Sequence, residues 1–175
     1  MMTNEAYRSE FARLVQGTRE RDGIPGIGTV RFIVKCSTNA ADVLATAREA
    51  MRAISGACAN GWDAAALNWE ALLPEQFVKA CAADMTRSEA DEWLARWQKL
   101  RPQEREHEER SRAWSLANWL HWLSPNERTW LWWDAVVLDE DFIVVSVAVE
   151  EWPFPWGALS WLFRGSGALE VSPEP

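Results

Sequence analysis

Residues 127–152, "ERTWLWWDAVVLDEDFIVVSVAVEEW", decide the fold. Two runs rich in β-branched and aromatic residues flank the polar turn Asp139-Glu140-Asp141. That pattern predicts a β-hairpin. In the second run Ile143, Val145, Val147 and Val149 alternate onto one face. The first run is apolar on both faces. Strict alternation puts Trp130, Trp132, Asp134 and Val136 on one side, and Leu131, Trp133, Ala135 and Val137 on the other. Such a strand needs cover on both sides, so the hairpin is expected at the centre of its sheet, with a second layer against it.

Downstream, "EEWPFPWGALSWLF" (150–163) leaves the hairpin in an extended form, because a residue that precedes proline avoids the helical region. A helix is then predicted from Pro155, with Trp156, Leu159, Leu162 and Phe163 as its stripe and Gly165 or Gly167 as its stop. "ALEV" (168–171) reads as a short last strand. Upstream, "TVRFIVKC" (29–36) alternates as a strand that buries Val30, Phe32, Val34 and Cys36. Gly23, Gly26 and Gly28 precede that strand, whereas a dinucleotide fingerprint follows one, so they read as turn residues. A helix capped by Asn39 and ended by Gly56 follows it. Another helix, over 3–17, carries the stripe Tyr7, Phe11, Leu14 and Val15.

Residues 57–124 read as helical throughout. Pro74 opens one helix, and Thr86 with Glu89 forms a capping box for another. A single longer helix over 103–123 is expected, solvated in its charged first half and enclosed in its apolar second half. The expected architecture is therefore α+β: a ferredoxin-like β-α-β-β-α-β antiparallel sheet with a large helical insertion forming a second layer. One domain spans 1–175, with 28–56 and 128–172 as the sheet core and its two helices, 57–124 as the insertion and 1–17 as the N-terminal helix.

The 175 residues carry 18 Lys and Arg against 26 Asp and Glu, a net charge of −8. That average field repels a phosphate backbone, and the arginines of "RPQEREHEERSR" are interleaved with glutamates, so no nucleic-acid partner is expected. No apolar run approaches the ~18 residues that suggest a membrane span. The opening "MMTNEAYRSEF" lacks the basic and apolar regions of a secretory signal. Cys36, Cys58 and Cys81 are odd in number and widely spaced, which argues against a disulfide framework and leads to a cytoplasmic expectation.

No motif specifies a reaction. Glu104 and His107 have the spacing of half a di-metal carboxylate site, but His121 has Asn118 where the second half needs a glutamate. No metal and no cofactor are expected. Ser166 follows a helix, so it is not a nucleophile elbow. Asp134 lies within a tryptophan-rich strand and would be buried on the face of Trp132. It would then pair with an arginine such as Arg96 or Arg112, or serve as the polar group of a Trp-lined ligand cleft.

Composition therefore favours a non-catalytic bacterial protein-binding protein, such as an immunity protein or another inhibitor of a basic, nuclease-type toxin. Its partner residues would be Asp139, Glu140 and Asp141 for electrostatic steering, and Trp152, Phe154 and Trp156 as aromatic anchors. A strand over 142–150 spans roughly 27–31 Å, so these two groups sit at opposite ends of it. The alternatives are a small-ligand protein or enzyme built on Trp132 and Asp134, and a structural subunit of a larger assembly.

Overall fold

The computed structural model describes residues 2–17, 23, 26 and 28–175. Its elements run α1 (Asn4–Gln16), β1 (Gly28–Lys35), α2 (Ala40–Ala59), α3 (Trp69–Leu72), α4 (Glu75–Ala80), α5 (Arg87–Lys99), α6 (Pro102–Ser111), α7 (Leu116–Leu123), β2 (Trp130–Val137), β3 (Phe142–Val149), α8 (Gly157–Gly165) and β4 (Glu170–Pro173). The chain is thus mixed helix and sheet. Among the described residues four strands lie in the order β2-β3-β1-β4, and every neighbouring pair is antiparallel. Part of the loop at 18–28 lies outside the described residues, but Gly26 sits in a turn at φ 72°, where a Cβ would meet the Val149 carbonyl oxygen.

One face of the sheet carries Phe32, Val34, Ile143, Val145, Val147 and Trp132, all wholly buried. α2 and α8 pack together over it, and Trp132 stacks on Phe163 of α8 with ring centroids 5.9 Å apart. Each such large apolar side chain contributes about 1.5–3 kcal/mol by leaving water. The other face carries the exposed Thr29, Arg31 and Lys35. Leu131, Val144 and Ala148 on that face are buried, and in the segment between α2 and β2 the helices α4 and α7 pack on α8. The fit there is tight, since a Cβ on Gly165 would lie 2.7 Å from the Phe77 ring.

The hairpin forms where the sequence puts it, but it is not central. β3 is an inner strand and β2 is an edge. A β-bulge between Trp132 and Asp134 accounts for part of the two-sided apolarity of β2, while Leu131 before it is buried on the face opposite Trp132. Trp132 pairs with Val147, Asp134 with Ser146, and Ala135 with Val145. One extra residue exchanges the faces, so Trp130 and Trp132 before the bulge and Ala135 after it all reach the core.

Other boundaries shift for local reasons. Thr3 caps α1, but Phe11 and Val15 are exposed while Glu10 and Arg13 are buried. α2 runs through Gly56 to Ala59. Pro74 is the N-cap of α4 rather than its first helical residue, and the helix after Pro155 begins at Gly157. The expected helix over 103–123 is two, α6 and α7, because Ser115 takes an extended conformation and caps α7 by accepting from the Asn118 N–H at 3.3 Å. The Thr86–Glu89 capping box of α5 is present.

α5 and α6 bury no residue. They are clasped by Arg105 over the Trp97 ring at 4.5 Å, Arg112 over Trp93 at 4.4 Å and the Arg96–Glu108 pair at 3.3 Å. Their base is tied down where the Ala82 N–H donates to the Trp114 carbonyl at 2.9 Å and Arg164 donates to the Ser111 carbonyl at 2.7 Å.

Candidate functional site

β2 divides at its bulge into two halves with different surroundings. In the first half, the N–H and C=O of Trp132 point away from β3 and are taken up by α1. The N–H donates to Glu10 Oε1 at 2.5 Å, and the carbonyl accepts from Arg13 Nε and Nη2, both at 3.3 Å. Arg13 also lies over the Trp133 ring at 4.5 Å. At the bulge, Arg48 of α2 donates to the Ala135 carbonyl at 2.8 Å. Polar side chains from two helices thus cap the upper part of a sheet edge that would otherwise be open.

Glu10 is the centre of this cap. It is wholly buried, pairs with the equally buried Arg128, and accepts from the Ser55 hydroxyl at 2.7 Å. Arg128 packs over Trp130 at 4.6 Å and Tyr7 at 5.8 Å. Burial, tempered by the Arg128 charge, pushes the Tyr7 phenol up to about 12. Burial likewise pushes the Cys58 thiol up to about 11. Both groups stay neutral and unreactive near pH 7. Tyr7, Glu10, Ser55, Cys58 and Arg128 are all sealed from solvent, so the cluster fixes α1 against the sheet rather than offering chemistry to a substrate. The sequence reading did not find it. The signal available was Glu10 and Arg13 lying three apart beside Tyr7 and Leu14 on one face of the first helix.

The second half of β2 is bare. Val136 is 52% exposed, Val137 36% and Leu138 62%. The register fixes where the backbone points. Leu138 donates to the Phe142 carbonyl at 2.9 Å, so residues 134, 136 and 138 bond toward β3. Ala135 and Val137 therefore direct their N–H and C=O groups outward. Arg48 takes the Ala135 carbonyl, and among the described residues nothing takes the N–H or C=O of Val137.

Directly beyond lies the acidic turn. Asp139 Oδ1 accepts from the N–H groups of Asp141 at 2.8 Å and Phe142 at 2.9 Å, which closes the hairpin. Asp141 Oδ1 accepts from the Thr38 N–H at 2.8 Å, and its carbonyl accepts from the Cys36 N–H at 2.6 Å. Two of the three carboxylates thus have structural duties through one oxygen each. All three residues remain exposed.

The structure separates the residues that sequence reasoning grouped. Asp134 faces the side of Ser146, opposite the buried Trp132, so the two do not line one cleft. The expected arginine partners are elsewhere: Arg96 pairs with Glu108, and Arg112 stacks on Trp93. The aromatic group also divides. Phe154 is buried and meets Phe32 edge-on at 6.1 Å, while Trp156 lies half-buried against Phe32 at 5.3 Å. Trp152 alone is solvent-facing, at 51% exposed, beside the exposed Glu150 and Glu151 and before a cis peptide bond to Pro153. The register keeps it at the other end of β3 from the acidic turn.

Among the described residues no three His, Cys, Asp or Glu side chains gather as a metal site, and Glu104 is instead bonded to Arg101 at 2.8 Å. Among the same residues no helix is long and apolar enough to cross a membrane. No family model matches the chain, no curated protein matches it and no solved structure matches it.

Proposed function

We propose that the chain is a non-catalytic protein-binding protein whose partner is basic, of the kind expected of an immunity protein or another inhibitor of a nuclease-type toxin. One observation carries this reading: three exposed apolar residues, Val136, Val137 and Leu138, run straight into three exposed carboxylates, Asp139, Glu140 and Asp141. Apolar contact supplies the buried centre of an interface, and charge at its rim speeds association. The net charge of −8 adds to the same field. We also read the fold as ferredoxin-like with a helical insertion. The order β2-β3-β1-β4 with all pairs antiparallel supports this, as does the placing of five short helices, α3 to α7, between α2 and β2.

The test is affinity capture with the intact chain, identification of the bound protein, and association kinetics at several salt concentrations. The Asp139→Asn/Glu140→Gln/Asp141→Asn variant keeps each Oδ1 or Oε1 acceptor while removing three charges. The reading predicts a basic partner, an association rate that falls with salt and a further fall in the variant. A partner whose association rate ignores both contradicts it.

A further inference from the structure

We infer that the bare end of β2 binds its partner by strand addition: an extended segment of alternating basic and apolar residues pairs with the backbone of Val137 and continues the sheet beyond β2. The inference rests on the protein-binding reading above and deepens it by naming the mode of recognition. Free outward N–H and C=O groups on an exposed apolar edge are a template for another strand, and folded proteins ordinarily blunt such edges. Here the blunting stops partway. Glu10, Arg13 and Arg48 cap Trp132 and Ala135, and the capping ends just before Val137.

Side chains define the occupant. Across the outer face, Val136 pairs with Val144, and Val144 with Ile33, forming an apolar row that runs to the edge. An added strand would extend that row with an apolar residue opposite Val136. Alternation turns its charged residues to the other face, that of Val137, next to the turn carboxylates Asp139 and Glu140, which calls for lysine or arginine. A second copy of this chain fits badly. Antiparallel self-pairing centred on Val137 would set Glu140 opposite Asp134 and Asp139 opposite Ala135, and like charges facing each other across a strand pair are destabilising. The turn carboxylates thus keep copies apart while favouring a basic strand.

The experiment uses the intact chain and a fluorescent hexapeptide, Lys-Val-Lys-Val-Lys-Val, read by anisotropy. Its controls are the Glu-Val peptide of equal length and a Lys-Val peptide N-methylated at every residue, which can donate along neither edge. Val137→Pro removes the outward N–H without touching the ladder to β3, a position where proline is tolerated in edge strands. The expected results are binding of the Lys-Val peptide alone and a loss of roughly tenfold or more in Val137→Pro. The N-methylated peptide gives the same loss on wild-type protein, which keeps the test valid if the proline variant is misfolded. No binding of the Lys-Val peptide overturns strand addition. So does equal binding of the N-methylated peptide, or equal binding by a folded Val137→Pro chain; in those two cases the electrostatic reading survives. Val137-dependent binding that is indifferent to Asp139→Asn/Glu140→Gln/Asp141→Asn supports strand addition and instead removes the basic partner. A wild-type dimer in size-exclusion chromatography that Val137→Pro dissolves overturns the proposed occupant in favour of a second copy.

Discussion

The two halves of β2 share one strand and differ in what meets their outer edge. Before the bulge, Trp132 gives its N–H to a buried carboxylate and its carbonyl to an arginine. After it, Val137 faces outward with no partner among the described residues, between two apolar neighbours that are more than half exposed. The difference shows that an edge strand can be stabilised and left available at the same time, if a bulge separates the two tasks. The first half holds α1 to the sheet. The second contributes little to folding and is therefore free to be shaped for binding.

The largest expected break in this comparison is Arg128→Ala. It leaves the Glu10 carboxylate buried without its counter-charge, which costs about 3–5 kcal/mol. A chain of marginal stability would lose most of its folded population. Chemical denaturation of the variant would measure it, and a change within 1 kcal/mol would mean that the α1 cap does not carry the first half of β2.

For each group taken singly, a somewhat smaller effect comes from alkali. Cys58 and Tyr7 are neutral when protonated, and their folded pKa values of about 11 and about 12 lie above the ordinary values of 9.0 and 10.0. Their contribution is complete below the unfolded values and is lost as pH rises through the folded ones. A rise of about 2 in pKa corresponds to roughly 3 kcal/mol for each group. Stability should therefore decline from about pH 9 upward, and Tyr7→Phe should flatten the part of the decline above about pH 10. Tyr7→Phe should cost little at pH 7, since the phenol oxygen makes no hydrogen bond. Urea midpoints across pH 7–12 would test both statements.

The smallest effect belongs to the second half. Val136→Thr and Leu138→Lys should each change stability by less than about 0.5 kcal/mol, because both side chains are more than half exposed. A loss of 2 kcal/mol in either would show that this surface is part of the folded core.

Much of this fold was legible in the sequence. Both hairpin strands, the turn at 139–141, β1, the Thr86 capping box and the last strand all follow from periodicity and turn residues, which are local signals. The bulge was not legible: it lies where β2 meets α1, a contact between parts of the chain more than a hundred residues apart. Missing it put Asp134 beside Trp132 and β2 at the centre of the sheet. The same contact hid Glu10 and Arg13, whose burial hydropathy does not announce because their partners are polar groups far along the chain: Arg128, Ser55 and the Trp132 backbone. Of the candidate site, the acidic turn was visible as three consecutive carboxylates. The neighbouring Val136–Leu138 surface was not, since alternation alone assigns valines in a strand to the interior.

The division of β2 is tested most directly by residue-resolved amide hydrogen exchange on the free chain. Trp132 and Val137 both point their N–H groups away from β3, so pairing within the hairpin protects neither. The account predicts that Trp132, bonded to buried Glu10, exchanges only through global unfolding, while Val137 exchanges at close to the unprotected rate. Equal, strong protection at both amides would mean that the whole edge is covered, and would contradict the account.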